Sequence, residues 1–510
     1  MGEKTKPYTI LTLNTVAFTT CFAAWMLNGV LVTFLVDNGV FEWDAAQMGV
    51  VIGIPVLTGS IMRLPMGILT DKFGGRPVYA LLMLFSAIPM YMLSRADSYT
   101  EYLLCSLGFG LTGASFAVGI AFSSVWFSKE RQGTVLGIFG AGNAGAALTS
   151  MGAPSLLRWL TDGGTNIDNW RQLPVIYSGV LVVMAIIFYV FTNNRKLATG
   201  QRTISQMLRP LKVVRVWRFG LYYFLAFGGF VALAQWLVPY YVNVYLMTIV
   251  MAGLLTASFS LPSGVIRPLG GVLSDKFGAR SVMYWVLATI IVCCFLLFFP
   301  KMNIESPGSG IMAKNGGTVT SITNNEIQVD EDVYALEPVV QREINDSEAI
   351  LLPLINSWHE PWVAVGEQVV RRQLLARGVT HIYFQANVWV FTVLVFIAGV
   401  ALGIGSAAVY KYIPEYFPDE IGLVGGIVGM VGGLGGFVCP IIFGQLLKVI
   451  GLWTTTWMFL FMVAVACLVW LTLVVRRISQ KDTRIEAAEP GRTPTGASPA
   501  WATEIVAEES

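Results

Sequence analysis

The chain has 510 residues, of which 55% are hydrophobic and only 13% are charged. Soluble domains carry about 25% charged residues, so this composition excludes an ordinary soluble protein and indicates a polytopic membrane protein. The formal net charge of +2 says little by itself, because the distribution of charge along the chain matters more than the sum.

Twelve apolar segments of spanning length are predicted, six in each half of the chain. They lie at about 9–36, 46–69, 78–94, 100–127, 133–157, 172–193, 213–246, 249–273, 281–300, 386–411, 419–447 and 453–476. The first segment is long enough to span and is followed by many more, so we expect no cleavable signal peptide.

Loop charge predicts the orientation. Residues 194–218 join the two halves and hold seven Lys or Arg residues with no Asp or Glu. Basic loops remain on the cytoplasmic side of a membrane, so this linker and both termini are predicted to be cytoplasmic.

One stretch of the sequence occurs twice. Residues 60–76 read SIMRLPMGILTDKFGGR, and residues 264–280 read GVIRPLGGVLSDKFGAR, with eight identical positions at a constant offset of 204. A repeat on this scale predicts two related six-helix bundles. Its polar turn, DKFGxR, falls on the cytoplasmic side by parity.

Each copy carries a lone arginine, Arg63 or Arg267, eight residues before the Asp of the turn. That spacing places the guanidinium group about 12 Å into a helix. A single arginine of this kind often only extends its side chain to the membrane surface. Two arginines at symmetry-related positions favour a shared site between the halves, and two fixed guanidinium groups bind an anion.

An insert breaks the symmetry of the halves. Residues 133–145 and 422–435 also match, at an offset of 289, and the increase over 204 equals the 85 residues of 301–385. Parity places this polar insert outside the cytoplasm, as a small cap domain or a mobile loop. Within it, 366–378 is predicted to form a short amphipathic helix. The tail 477–510 is predicted to be disordered from its composition.

The fifth and eleventh predicted spans are rich in glycine, which lets helices pack closely. Asn143 adds a polar side chain in the first of these runs, where an unpaired amide is costly unless it faces a polar pathway. In span seven, Tyr223 and Phe227 are four residues apart and so lie on one helix face. Phe22 and Phe116 have no partner that spacing reveals.

The interior of the predicted spans contains no Asp or Glu. Proton-driven carriers usually use a buried carboxylate or histidine as the proton relay. A relay in this chain would involve Lys411 and Glu415 near the cytoplasmic end of span ten, or the anion itself. Anion exchange is therefore chemically simple, and proton symport remains an open alternative.

Catalytic and metal chemistry have no candidate residues. All six cysteines lie in apolar segments without a CxxC pair, and both histidines, His359 and His381, lie in the insert. Nothing resembles a nucleophile with its base or a phosphate-binding loop. We therefore expect neither an enzyme nor a bound metal or cofactor.

Two six-helix halves with GILTDKFGGR and GVLSDKFGAR turns resemble the major facilitator superfamily. More narrowly, GIFGAGNAGAA and GMVGGLGGFVCP resemble the paired glycine-rich signatures of the NarK-type nitrate/nitrite porters, which also carry one arginine on each of spans two and eight. The resemblance covers nearly the whole chain except 301–385 and the tail. The insert departs from the usual short loop, and YKYIPEYFPDEIG at 410–422 is more similar to the importer branch.

The resemblance implies a pocket in which two arginines grip the anion while aromatic rings and an asparagine complete it. Carried over by motif, the substrate-binding residues are Arg63, Arg267, Asn143, Tyr223, Phe227, Phe22 and Phe116. The repeated turns are expected to latch the cytoplasmic face by charge pairing, through Asp71, Lys72, Arg76, Asp275, Lys276 and Arg280.

The sequence therefore predicts an alternating-access carrier of nitrate and nitrite in the bacterial inner membrane, acting as an exchanger or a proton-coupled importer. We expect a monomer in the lipid bilayer, without cofactor or nucleic acid. The expected parts are an N-terminal bundle (1–193), a linker (194–218), a C-terminal bundle (219–476) interrupted by 301–385, and a cytoplasmic tail (477–510). A carrier of a small organic anion and an anion-sensing receptor that uses the insert are the alternatives.

Overall fold

The computed structural model describes residues 5–127, 132–195, 209–298, 302–338, 354–384, 387–417 and 421–488. Two compact units divide the chain, Met1–Phe295 with Val395–Ser510, and Leu296–Leu394. The described part of the first unit is helical, and the second unit carries the β-strands. The basic loop at 129–131, most of the linker (196–208) and the end of the tail (489–510) lie outside the described residues.

The described residues of the N-terminal half form ten α-helices. They are α1 (Thr5–Trp25), α2 (Leu27–Asp37), α3 (Ala45–Ile61), α4 (Arg63–Phe73), α5 (Gly75–Leu93), α6 (Tyr99–Phe109), α7 (Ser115–Ser124), α8 (Gln132–Gly140), α9 (Gly145–Leu160) and α10 (Gln172–Phe191). Short 3₁₀ segments, Gly110–Ala114 and Ala141–Ala144, join α6 to α7 and α8 to α9.

The C-terminal half contains eight α-helices in the described residues. They are α11 (Val214–Tyr223), α12 (Gly229–Tyr245), α13 (Ile249–Val265), α14 (Arg267–Phe277), α15 (Ala279–Leu297), α16 (Val388–Tyr416), α17 (Ile421–Ile450) and α18 (Thr455–Ala488). A π-helical turn, Phe224–Gly228, joins α11 to α12.

Each of the twelve predicted spans coincides with a helical run. Within the described chain, ten runs are long and apolar enough to cross a membrane, and the pair α13–α14, bent by 46°, makes an eleventh. The twelfth predicted span, 133–157, corresponds to the broken run from α8 to α9. The predicted class, an all-helical membrane bundle, is confirmed for this unit.

Both arginine-bearing spans break immediately before the arginine. Helix α3 ends at Ile61 and α4 begins at Arg63, while α13 ends at Val265 and α14 begins at Arg267. Proline has no backbone N–H to donate and its ring crowds the carbonyl four residues earlier, so Pro65 and Pro268 explain a break at these points. The break brings each arginine to the first turn of a new helix.

The glycine of each DKFGxR turn ends the preceding helix. Gly74 has φ +86° and Gly278 has φ +81°. This part of backbone space is strained for residues with a Cβ, which explains why both turns use glycine at that position.

Seven strands lie in the part of the second unit that the structure describes. They are β1 (Met302–Met312), β2 (Gly317–Ile322), β3 (Glu326–Val329), β4 (Asp332–Ala335), β5 (Leu354–Pro361), β6 (Gln368–Val369) and β7 (Leu374–Phe384). They form an antiparallel three-stranded sheet in the order β1-β7-β5 and a four-stranded sheet in the order β4-β3-β2-β6. The unit buries its own apolar cluster, which includes Val319, Ile327, Val329 and Leu375.

The short amphipathic helix predicted at 366–378 is wrong. These residues form β6, a turn in which Arg372 has φ +68°, and the start of β7. Strand β7 pairs with β1, so Leu374 lies opposite Met312. A partner so distant in sequence overrides local helical periodicity, because strand formation depends on packing and pairing.

Part of the predicted disordered tail is helical. Helix α18 continues through Ala488, so residues 477–488 are helical rather than disordered. The segment contains Arg, Gln, Lys and Glu, which are good helix formers, and it extends a helix that the membrane-spanning residues already nucleate.

Candidate functional site

Arg63 lies between the two halves of the bundle and is only 3% exposed. Its Nη1 donates to the backbone carbonyl of Gly429 at 2.6 Å. Its Nε and Nη2 are buried without a hydrogen-bond partner among the described residues. A buried cation with unsatisfied donors is costly, and an anion that pairs with the guanidinium group would remove that cost.

Arg267 occupies the equivalent position in the second half and is half-buried. Its guanidinium carbon lies 5.2 Å from the centre of the Phe227 ring and 6.0 Å from that of Phe230. Its Nε is also buried and unpartnered within the described chain. The guanidinium carbon of Arg63 lies 5.0 Å from the same Phe227 ring. One aromatic ring therefore contacts both cations, one from each half.

Tyr223 and Phe227 stack on each other, with ring centres 5.1 Å apart and planes 11° from parallel. Both are buried. The π-helical turn Phe224–Gly228 covers this part of span seven. Such turns occur frequently at functional sites because they alter the direction of side chains along a helix. The sequence spacing correctly predicts that these two rings share a helix face.

The glycine-rich helix α17 packs directly against these groups. A Cβ at Gly432 would overlap the Tyr223 ring, and a Cβ at Gly433 would overlap the Ser60 side chain beside Arg63. Gly429 supplies the carbonyl that Arg63 binds. Glycine at positions 432 and 433 therefore leaves the space that Tyr223 and Ser60 occupy.

Asn143 lies in the 3₁₀ segment between α8 and α9 and is fully buried. Its Nδ2 donates to the Gly140 carbonyl at 2.5 Å, and its Oδ1 has no partner among the described residues. The side chain lies against Gly264, three residues before Arg267. Asn143 thus belongs to the N-terminal half and lies against the end of the helix that precedes the second arginine.

The two remaining predicted aromatics also belong to this cluster. Phe116 lies 5.3 Å from the Arg63 guanidinium carbon. Phe22 stacks on Phe230, with ring centres 6.4 Å apart. The structure therefore brings six of the seven predicted substrate-binding residues into one connected group, with Phe230 joining Phe22 to Arg267, and it places Asn143 against Gly264 of the helix before Arg267.

Three further aromatic residues belong to the cluster and were not predicted. Trp25 lies 5.8 Å from the Arg63 guanidinium carbon, Phe230 contacts Arg267, and Tyr410 meets Tyr223 edge to face at 4.9 Å. Spacing gives a weak signal for Phe230, which follows Phe227 by three residues. Membrane spans contain many aromatic residues, so composition alone does not distinguish Trp25 or Tyr410 from lipid-facing rings.

Each repeated turn lies at the C-terminal end of the helix that begins with the arginine, α4 or α14. Arg76 donates from Nε to the Tyr189 carbonyl at 2.7 Å, and Lys72 lies 5.4 Å from the Phe73 ring. In the second copy Asp275 forms a 2.5 Å ion pair with Lys411 on α16. Of the other predicted turn residues, Asp71 and Lys276 are exposed and Arg280 is half-buried. Glu415, the predicted coupling residue near Lys411, is also exposed.

At the other end of the bundle the halves are in direct contact. Asp44, the N-cap of α3, forms a 2.8 Å ion pair with Lys448 near the end of α17. This interaction, together with the Gln47 backbone N–H, lowers the pKa of Asp44. Gly49 packs on the backbone carbonyl of Pro440, and Gly444 packs on that of Ala45, so closely that neither position has room for a Cβ. We call this region, which the loop charges predict to face away from the cytoplasm, the outer end.

Within the described residues, no group of three or more His, Cys, Asp or Glu side chains is placed to hold a metal ion. The chemistry of the site is that of two cations, aromatic rings and neutral polar groups. This combination is chemically suited to an anion between the halves of a helical membrane bundle.

Comparisons with known proteins agree with this architecture. The family model described as "Major Facilitator Superfamily" matches residues 13–322 and 374–505. The chain is 38% identical to "Probable nitrate/nitrite antiporter NarK1" of Thermus thermophilus, over 94% of this chain and 95% of the relative. It is 25% identical to "Nitrite extrusion protein" of Bacillus subtilis (strain 168), over 90% and 92%.

A solved structure has the same fold. A bacterial homologue of the human lysosomal transporter Spinster, in an inward-facing and occupied conformation, matches with a TM-score of 0.62 and 14% identity, over 93% of this chain and 98% of that one.

The chain belongs to the Major Facilitator Superfamily, and it is a multi-pass membrane transporter. The superfamily expected from the repeated turns is confirmed.

Proposed function

We propose that this chain carries nitrate and nitrite across the membrane by alternating access, with Arg63 and Arg267 as a shared charge clamp. The observation that carries the proposal is that two guanidinium groups, the buried Arg63 from one half and the half-buried Arg267 from the other, contact the same Phe227 ring at 5.0 and 5.2 Å. The relatives at 38% and 25% identity carry nitrate and nitrite in their names, which supports the substrate.

The composition of the site suits a small planar oxyanion. Guanidinium groups match the geometry of paired oxygen atoms, and their separate origins allow one ion to connect the two halves. Asn143 bonds Gly140 through one N–H of its amide, which leaves a second N–H to donate to the ion. The stacked Tyr223 and Phe227 rings provide a flat wall that limits the size of the substrate.

We propose exchange of nitrate for nitrite rather than proton-coupled import. In the described spans, each Asp or Glu lies within two residues of a span end, at Asp37, Asp71, Glu101, Asp168 and Asp275. Lys411 is already paired with Asp275, so it is not a free group beside Glu415. Exchange requires that the halves change conformation only with an anion bound. Buried guanidinium donors without a partner among the described residues make the empty clamp costly and so favour the loaded one.

The same proposal includes the setting of the transporter. Both termini and the repeated turns face the cytoplasm of a bacterial inner membrane, the insert faces outward, and the protein works as a monomer. The Asp275–Lys411 ion pair and the Arg76–Tyr189 hydrogen bond are the contacts that support a latching role for the turns.

The test is counterflow of labelled nitrate into proteoliposomes loaded with nitrite, with and without a pH gradient. Exchange predicts uptake driven by internal nitrite and unaffected by the pH gradient. Uptake that requires the gradient would establish proton-coupled import instead. Uptake abolished by excess carboxylates would identify an organic anion as the substrate, and the absence of any flux would refute a carrier function.

A further inference from the structure

A set of buried polar side chains outside the clamp has no partner in the structure. Thr256, Ser260 and Ser263 on α13 and Gln235 on α12 are at most 1% exposed. Their three hydroxyl oxygens and both amide atoms of Gln235 make no hydrogen bond to any described residue. We call these four residues the outer polar cluster.

These hydroxyl groups differ from most buried Ser and Thr hydroxyl groups in the described part of the bundle. Buried serines in helices usually donate to a carbonyl of their own helix, as Ser86 does to Leu82 and Ser406 does to Leu402. On α13 itself, Ser258 donates to Leu255 at 2.6 Å. The hydroxyl groups of the outer polar cluster do not use this local option, so their hydrogen-bonding capacity is available to a ligand.

The cluster lies along the path between Arg267 and the outer end. With 3.6 residues per turn, Thr256, Ser260 and Ser263 fall within about 60° of arc on α13, and Ser263 precedes Arg267 by one turn. Helices α12 and α13 form an antiparallel hairpin, joined at 246–248, so Gln235 and Ser260 have similar depth. The hydroxyl row therefore continues from the second arginine toward the outside.

The same region is where the halves close against each other. Gly29 of α2 packs on the Gln235 backbone, and Gly253 of α13 packs on Ser150 of α9. Helices α2 and α9 come from the first half, whereas α12 and α13 come from the second, and these helices pack against one another. Separation of the halves at the outer end would therefore open the outer polar cluster to the external solution.

We propose that the outer polar cluster is a second anion subsite, which takes a small monovalent oxyanion on its way between the outside and Arg267. Hydroxyl and amide groups offer neutral hydrogen bonds, so they hold an anion more weakly than the clamp does. A weak site next to a strong one favours entry without trapping the ion, and the nearby arginine selects for negative charge. This inference rests on the proposed transport of nitrate.

The test compares the two faces of the transporter. Nitrate KM is measured from outside in right-side-out vesicles and from inside in inverted vesicles, for wild type, for Thr256→Val with Ser260→Ala, and for Gln235→Leu. The subsite predicts an external KM raised at least fivefold and an internal KM within twofold of wild type. Ser258→Ala, which removes a self-satisfied hydroxyl from the same helix, is the matched control and is expected to change neither value.

Two results would overturn the subsite. Equal changes at both faces, or none, would mean that the cluster does not contact the anion. A rise outside with a fall inside would mean that the substitutions only favour closure of the outer end. If the double variant fails size-exclusion chromatography, Ser260→Ala alone carries the comparison. A wild type that transports no nitrate would instead refute the proposed function.

Discussion

The two arginine-bearing breaks are copies in sequence but not in environment. Both begin a helix after a break, and both contact Phe227. Arg63 is sealed in and bound to the Gly429 carbonyl of the opposite half, whereas Arg267 is half-buried and contacts rings of its own half. Duplication therefore supplies equivalent backbones, and the partner helices decide which arginine holds the halves together and which remains more accessible.

The largest expected effect follows replacement of either arginine by lysine. A hydrogen bond to a charged group contributes about 1.5–3 kcal/mol, and loss of a two-pronged contact should lower nitrate uptake about 100-fold or more in both Arg63→Lys and Arg267→Lys. The comparison adds a second readout, because only Arg63→Lys should also lower the temperature of unfolding in the absence of nitrate. Uptake at the wild-type rate in either variant would refute the clamp.

A smaller effect is expected at the glycine-rich helix. Gly432→Ala places a methyl group in the Tyr223 ring, and overpacking of this kind costs about 1–3 kcal/mol, so nitrate affinity should fall about tenfold. Gly426→Ala is the matched control on the same helix, since nothing lies within 4 Å of its added Cβ. Equal affinities in the two variants would show that the position of Tyr223 is unimportant for binding.

The smallest effect concerns the turns. The side chains of Lys411 and Asp275 are 38% and 62% exposed, and exposed ion pairs contribute about 0–1 kcal/mol. Asp275→Asn should therefore change the uptake rate less than about fivefold, and the exchanged pair Asp275→Lys with Lys411→Asp should restore it. A Lys411→Gln variant that loses nitrate uptake at every pH would contradict a role limited to latching.

The sequence alone predicted the features that repetition makes visible. The offset of 204 residues paired Arg63 with Arg267, and the apolar segments gave the number and order of the spans. The sequence did not reveal that Gly429 would bind Arg63 or that Tyr410 would meet Tyr223, because those contacts join segments far apart in the chain. The roles assigned to the site residues remain predictions, although the structure places them together.

The insert shows the limit of local patterns more directly. Residues 366–378 carry a helical periodicity, yet they form part of two sheets. Strand β7 lies between β1 and β5 in its sheet. Its conformation therefore depends on pairing with two strands that are outside the 366–378 segment. No pattern within thirteen residues contains that information.

The central claim is that one anion is held by two arginines from different halves. Its most direct test is the number and affinity of nitrate ions bound per chain, measured by isothermal titration calorimetry for wild type, Arg63→Gln and Arg267→Gln. The account predicts one tightly bound nitrate in wild type, and loss of that binding in each single variant. Either variant retaining a nitrate at wild-type affinity would contradict the account, because the arginines would then serve separate sites.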